Sequence, residues 1–268
     1  MSGAIIEKIK KLAEGTALAR VIDKTDGRIA WGRVVGDEVE LLDTDLLPTG
    51  RKHKAVELTF KTPIDPVKIW CIGLNYREHA KEVKAEIPGE PCVFMKPNTC
   101  LIAHGEAIKI PGHDNLGRVD YEGELAIIIG KNCRDVEEKD ALDCVLGYSC
   151  FNDVSARRLQ KKDGQWIRAK GFDTFGPFGP VLLLGKNISP ETRIKTLLNG
   201  KVVQDASFSD MIFSVSSIVS HISRFATLEA GDVIITGTPS GVGPVKHGDV
   251  VEIEIEGLGT LRNPIEAN

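Results

Sequence analysis

Two glutamates, Glu122 and Glu124, open the apolar part of the stretch RVDYEGELAIIIGK at residues 118–131. Side chains alternate across a strand, so Glu122, Glu124, Ala126 and Ile128 take one face and Gly123, Leu125, Ile127 and Ile129 the other. Both faces are apolar beyond Glu124, which sends the strand into the interior with two carboxylates at its entrance, their Cα atoms about 7 Å apart. A buried carboxylate is costly, and two like charges together cost more unless a proton or a cation relieves them. Carboxylate oxygens are hard ligands that suit Mg²⁺, Mn²⁺ or Ca²⁺. A third acid is at hand in Asp153 of GYSCFNDVSARRLQ, where a second apolar strand ends and an arginine-bearing helical segment begins. On spacing alone the pair also reads as a solvated strand edge, as Glu252, Glu254 and Glu256 do.

Three further groupings could do chemistry. In NYREHAKEV, His79 and Glu82 stand three apart, on one side of a short helix. A carboxylate beside an imidazole orients it and raises its basicity, making His79 a candidate general base. The other reading is a charged surface helix with a solvated histidine. Arg157 and Gln160 share one helical face, as they would on a solvated helix too. IITGTPSGVG at residues 234–243 lacks the G-K-[ST] of a phosphate loop and the third glycine of a dinucleotide fingerprint. It reads instead as a strand and tight turn in which Gly237 lets the backbone approach a ligand and Thr238 supplies a hydroxyl.

The elements that must position these groups are mostly strands. Strand patterns run over 121–130, 147–153, 180–184, 193–198, 201–205, 232–236 and 250–256, with Asn199-Gly200 as hairpin punctuation. SDMIFSVSSIVSHISRF at 209–225 predicts one strong helix, with Met211, Val215, Ile218, Ile222 and Phe225 on its apolar face and Ser209 or Asp210 as cap. Strands cluster without regular β-α-β alternation, which favours an α+β, mainly β architecture over a doubly wound sheet. Short alternating runs in residues 16–60 suggest a small β-rich N-terminal domain over 1–64. The prolines of KTPIDPVK mark its border with a main domain over 65–268 that opens on the strand KIWCIGLN.

The chain has 268 residues, enough for a sizeable core, with 34 basic against 38 acidic residues and a net charge of −4. That balance speaks against a nucleic-acid partner and makes a small molecule the default. Without an apolar run of membrane-spanning length or an uncharged signal core near the start, neither a membrane partner nor secretion is expected, and the cytoplasm is the expected setting. Six scattered cysteines, none in a C-x-x-C pair, predict reduced and mostly buried thiols.

GLNYREHAKEV, FMKPNTCL, VDYEGELAIIIGK, GYSCFNDVSARRLQ, RAKGFDTFGPFGP and IITGTPSGVGPV occur in this order over roughly residues 68–264. Together they resemble the fumarylacetoacetate hydrolase domain family, of the smaller bacterial and archaeal type. The resemblance implies a mixed β-sandwich roll, usually a homodimer, with Mg²⁺ or Mn²⁺ on Glu122, Glu124 and Asp153. It implies a lid carrying the His79 and Glu82 pair, an active-site Lys170 that counters charge on metal-bound oxygens, and Arg157, Gln160, Gly237 and Thr238 as holders of the substrate's carboxylate. The extra aspartate ligand of the founding enzyme has no equivalent here, so hydrolysis of fumarylacetoacetate itself is not expected. A metal with open positions can chelate a 2-oxo acid and act as a Lewis acid that stabilises an enolate. The implied partner is therefore a small oxo acid, and the implied reactions are acylpyruvate hydrolysis, decarboxylation of oxaloacetate-like acids, or isomerisation of 2-hydroxyhepta-2,4-diene-1,7-dioate in aromatic-acid breakdown. The alternative is a non-enzymatic binding protein in which the same acids hold structural Ca²⁺. His79, Glu82 and Lys170 speak against it, because a structural metal needs no base beside it.

Overall fold

A computed structural model describes residues 3–112 and 116–267. The strand expected at the centre is there: Gly123–Ile129 is buried along its whole length. Its antiparallel neighbours are Val145–Asn152 on one side and Val233–Ile235 on the other. The sheet continues outward from Val233–Ile235 through Ile69–Gly73 to Cys92–Lys96, and from Val145–Asn152 through Gly176–Leu184 to the N-terminal strands Ala17–Ile22, Ile29–Val35, Glu38–Leu42 and Pro48–Lys54. The N-terminal segment is thus hydrogen-bonded into the same sheet, with Ala17 opposite Leu183 and Leu18 opposite Leu182.

The two faces of the central strand meet different partners, as the alternation requires. Leu125, Ile127 and Ile129 join Ile194, Val251, Ile253 and Ile255 in one core. These partners come from a five-stranded sheet that contains the hairpin Arg193–Leu198 and Lys201–Ser207 and the strand Val250–Ile255. Ala126 and Ile128 pack on the opposite side with Ile6, Ile69, Leu182, Val233 and Ile235. Asn199 and Gly200 both have positive φ, at 53° and 77°, as the two-residue hairpin turn demands. The architecture is α+β and mainly β, a sandwich with few helices. No helix among the described residues is long and apolar enough to cross a membrane. All six cysteines are free, and every one except Cys92 is buried.

The long helix differs from its sequence pattern. It spans Val215–Phe225, and its cap is Ser214, whose hydroxyl accepts from the Ser217 N–H at 3.1 Å, rather than Ser209 or Asp210. Those two residues belong to a separate 3₁₀ turn, Phe208–Asp210, closed by a capping box between Ser207 and Asp210. Between turn and helix the chain is held straight by Asn75. The Asn75 carbonyl accepts from Ile212 N at 2.7 Å, and its side-chain oxygen accepts from Phe213 N at 2.8 Å. Met211 is buried as expected, but as part of this extended link, while Phe225 is 53% exposed. A tertiary clamp has overridden a local helical preference.

Candidate active site

Glu122 sits in the break between the strands Val119–Tyr121 and Gly123–Ile129, where its N–H donates to Asn152 Oδ1 at 2.9 Å. Asp153 follows the strand Val145–Asn152 and donates its own N–H to the Glu122 carbonyl at 2.8 Å. Glu124 is one step further along the central strand. Pairing of Gly123 with Asn152 therefore brings all three acids to one spot. Ligand-capable oxygens of Glu122, Glu124 and Asp153 lie within 4.8 Å of one another, and all three residues are buried.

Lysines and an arginine balance part of this charge. Lys170, at the end of the short helix Ile167–Lys170, donates to Glu122 Oε2 at 2.7 Å and to Asp153 Oδ2. Lys96 Nζ donates to Asp153 Oδ1 at 2.7 Å and to the Phe175 carbonyl at 3.0 Å. Arg157 ion-pairs with Glu122 Oε1 at 2.6 Å through Nη2 and donates to Asp120 Oδ2 at 2.7 Å through Nε. Its remaining nitrogen, Nη1, donates to Gln160 Oε1 at 2.9 Å. Burial by itself would raise the Glu122 carboxyl, but the charges of Arg157 and Lys170 outweigh it and hold the group at about 2. Burial would likewise discharge Lys170, and the charges of Asp153 and Glu122 keep it protonated well above the usual lysine value.

Glu124 is different. Among the described residues its one hydrogen-bond donor is the N–H of Gly237, at 2.7 Å, and no cationic side chain reaches it. Burial, followed by the charges of Asp153 and Glu122, pushes its carboxyl well above the usual range. A buried carboxylate with no ion-paired cation, within reach of two others, is what a divalent cation with oxygen ligands relieves, so the donor set fits Mg²⁺, Mn²⁺ or Ca²⁺.

Glu122 and Glu124 line a cavity of about 320 Å³ whose wall includes the polar His79, Arg157, Gln160, Lys170 and Thr238 and the apolar Leu74, Val83, Ala85 and Trp166. His79 lies in the helix Arg77–Glu82 and is 6% exposed. Its Nδ1 is 3.0 Å from Glu82 Oε2. Glu82 Oε1 accepts from the Gly241 N–H at 3.0 Å, tying the helix to the loop that follows Val233–Ile235. Gly237 in that loop has φ of 90°, and a Cβ there would come within 2.8 Å of Asn75 Cβ, so the close approach requires glycine.

Of the residues singled out in the sequence, Glu122, Glu124, His79, Arg157, Gln160, Lys170 and Thr238 line this cavity, while Asp153, Glu82 and Gly237 contact residues that do. Arg157 and Gln160 are bonded to each other, Arg157 also pairs with Glu122 and Asp120, and the Gly237 N–H is directed at Glu124. Lys170 contacts the carboxylates themselves. Sequence reasoning passed over Lys96, Asp120 and Gln204. Lys96 was legible in principle, because a lysine inside the apolar strand Cys92–Lys96 implies a buried acid to meet it. Nothing local marks Gln204.

Comparisons with known proteins place the chain in a family. Residues 68–266 match the family described as fumarylacetoacetate (FAA) hydrolase C-terminal. A protein of Archaeoglobus fulgidus is 49% identical over 235 residues, 88% of this chain and 93% of its own length. An oxaloacetate tautomerase of Bacillus subtilis is 43% identical over 275 residues, covering 98% of this chain and 86% of its own. Among solved structures, a 2-hydroxyhepta-2,4-diene-1,7-dioate isomerase from Mycobacterium marinum superposes with a TM-score of 0.83 at 39% identity, over 94% of this chain and 99% of that one.

Proposed function

This chain belongs to the fumarylacetoacetate hydrolase family, and on that premise we propose that it is a Mg²⁺- or Mn²⁺-dependent enzyme that moves a proton between carbon and oxygen in a small 2-oxo dicarboxylic acid of the oxaloacetate type. The observation that carries this reading is the meeting of Glu122, Glu124 and Asp153, the first two of them lining a cavity of about 320 Å³ whose wall holds a glutamate-oriented histidine. Two relatives named for an activity support the reaction class. One is named for tautomerising oxaloacetate and the other for isomerising an enolic dioate, and both changes relocate a proton.

A divalent cation on the three carboxylates would supply Lewis acidity toward the oxygen of a 2-oxo group. The chain's own residues do the rest. With the His79 Nδ1–H donated to Glu82, Nε2 is the basic nitrogen. In the keto-to-enol direction it takes the proton from the carbon next to the carbonyl and hands it on to the carbonyl oxygen, which becomes the enol hydroxyl. In the reverse direction His79 returns that proton to carbon and recovers the one that the enol hydroxyl releases. Glu82 orients the ring and stabilises its charged form, as the carboxylate partner of a catalytic histidine does. Leu74, Val83 and Trp166 supply an apolar wall that limits water around the reacting carbon.

The test is ultraviolet loss of the enol of oxaloacetate, with Mg²⁺ or Mn²⁺ and with a chelator, alongside an acylpyruvate and 2-hydroxyhepta-2,4-diene-1,7-dioate. Oxaloacetate turnover should vanish with the chelator and fall about 10²- to 10⁴-fold in His79→Ala, with a comparable loss in Glu122→Ala. Turnover unchanged by both substitutions, or a wild-type rate equal to that in buffer, defeats the reading.

A further inference from the structure

Gln204 lies in the strand Lys201–Ser207 of the five-stranded sheet and is 1% exposed. Its side-chain oxygen accepts from the Gly123 N–H at 3.1 Å and from the Thr196 hydroxyl at 2.6 Å. A backbone N–H can only donate, so this end of the amide must be the oxygen. At the other end, Nε2 is 2.8 Å from the Pro239 carbonyl, which can only accept, and 2.9 Å from Thr238 Oγ1. The orientation of the amide is thus determined at both ends. Because Nε2 can only donate, Thr238 Oγ1 is an acceptor in this contact, and its own proton must go elsewhere. Thr238 lines the cavity, and its hydroxyl has no acceptor among the described residues.

We infer that Gln204 is a positioning residue that makes the Thr238 hydroxyl a committed donor into the cavity, aimed at a carboxylate oxygen of the substrate. The identity of that oxygen rests on the 2-oxo acid reading above. A threonine hydroxyl can either give or take a hydrogen bond, and one that presented lone pairs would repel an anionic ligand. Gln204 holds one of the two lone pairs, which confines the O–H to the remaining directions, and an anionic oxygen in the cavity takes the O–H rather than the other lone pair. The same amide holds Gly123, the residue between the two glutamates, where a Cβ would stand 2.2 Å from Thr196 Oγ1. One buried side chain therefore registers the substrate loop against the strand that carries the acids.

The experiment is a double-mutant cycle in the full-length protein with Mg²⁺, read by oxaloacetate KM and kcat and independently by calorimetric binding of oxalate, a planar dicarboxylate that does not react. Gln204→Met and Thr238→Val should each weaken oxalate binding and raise KM by about 10- to 100-fold, the range for a hydrogen bond to a charged group, with kcat changed far less. Thr238→Ser should bind oxalate like wild type. The deciding result is that Gln204→Met adds no further loss once Thr238→Val is present. Gln204→Glu, which keeps the acceptor for Gly123 and Thr196, is the second probe, and its loss should likewise disappear in the Thr238→Val background. Losses that multiply in the double variants, or a folded Gln204→Met that binds oxalate normally, overturn the inference. A wild-type protein that neither turns over oxaloacetate nor binds oxalate defeats the functional reading instead, so the two failures are distinguishable.

Discussion

Lys96 and Lys170 both contact Asp153, while Glu124 has the N–H of Gly237 as its hydrogen-bond donor and no cationic partner among the described residues. Substitutions at Lys96 and Glu124 should therefore act with opposite sign on the metal-free protein. Glu124→Gln puts a neutral group in place of a carboxyl that the buried cluster lets ionise only at a cost and keeps an acceptor for Gly237, so the metal-free melting temperature should rise, by about 2–4 °C for each kcal/mol relieved. The additional rise produced by Mg²⁺ or Mn²⁺ should disappear in the same variant, because a ligand of the cation is lost. Lys96→Met removes one partner of a fully buried carboxylate and should cost about 3 kcal/mol. Thermal unfolding with and without the cation reads both. A Glu124→Gln protein that melts below wild type without metal would show that its charge is already compensated.

At the scale of elements, the site hangs on strand ends and on two short segments that reach across them. The helix Arg77–Glu82 is too short to be stable by itself. It is held through Glu82 to Gly241, and the adjoining Asn75 side chain donates to the Phe213 and Thr236 carbonyls at 3.1 and 2.7 Å. Asn75 thereby joins the histidine helix, the link before Val215–Phe225 and the loop at Gly237. The cap of the long helix is a separate question with its own test. Ser214→Ala should cost about 1 kcal/mol in chemical unfolding, whereas Ser209→Ala should leave that helix untouched, since Ser209 belongs to the preceding turn.

For the whole molecule, the decisive feature is that residues of the N-terminal segment complete a core shared with the site-bearing strands. Ile6, Ile9, Leu18, Leu42 and Ile64 pack with Ile69, Cys71, Ala126 and Val233, and Ala17–Ile22 covers the edge of Gly176–Leu184. Removing residues 1–64 would expose that apolar face together with an unpaired strand edge, which is a route to aggregation. The full chain should unfold in one calorimetric transition, and a 65–268 fragment should be recovered mostly in aggregates. A soluble, cooperatively melting fragment would show instead that the main segment is independently stable.

The sequence by itself determined which side chains share a face, because the alternation of a strand and the spacing of a helix are local properties. It therefore placed Glu122 with Glu124 on one face, gave Gly123–Ile129 two apolar faces, paired His79 with Glu82 and marked the Asn199-Gly200 turn. The tertiary structure alone decided which separate segments meet. Lys96 and Gly237 reach the acids, and Gln204 reaches Gly123 between two of them, from strands and loops far away in the chain, and Asn75 ends the apparent helix at Ser214 by clamping residues more than a hundred positions away. Such contacts depend on strand order and register across two sheets, which no local periodicity encodes.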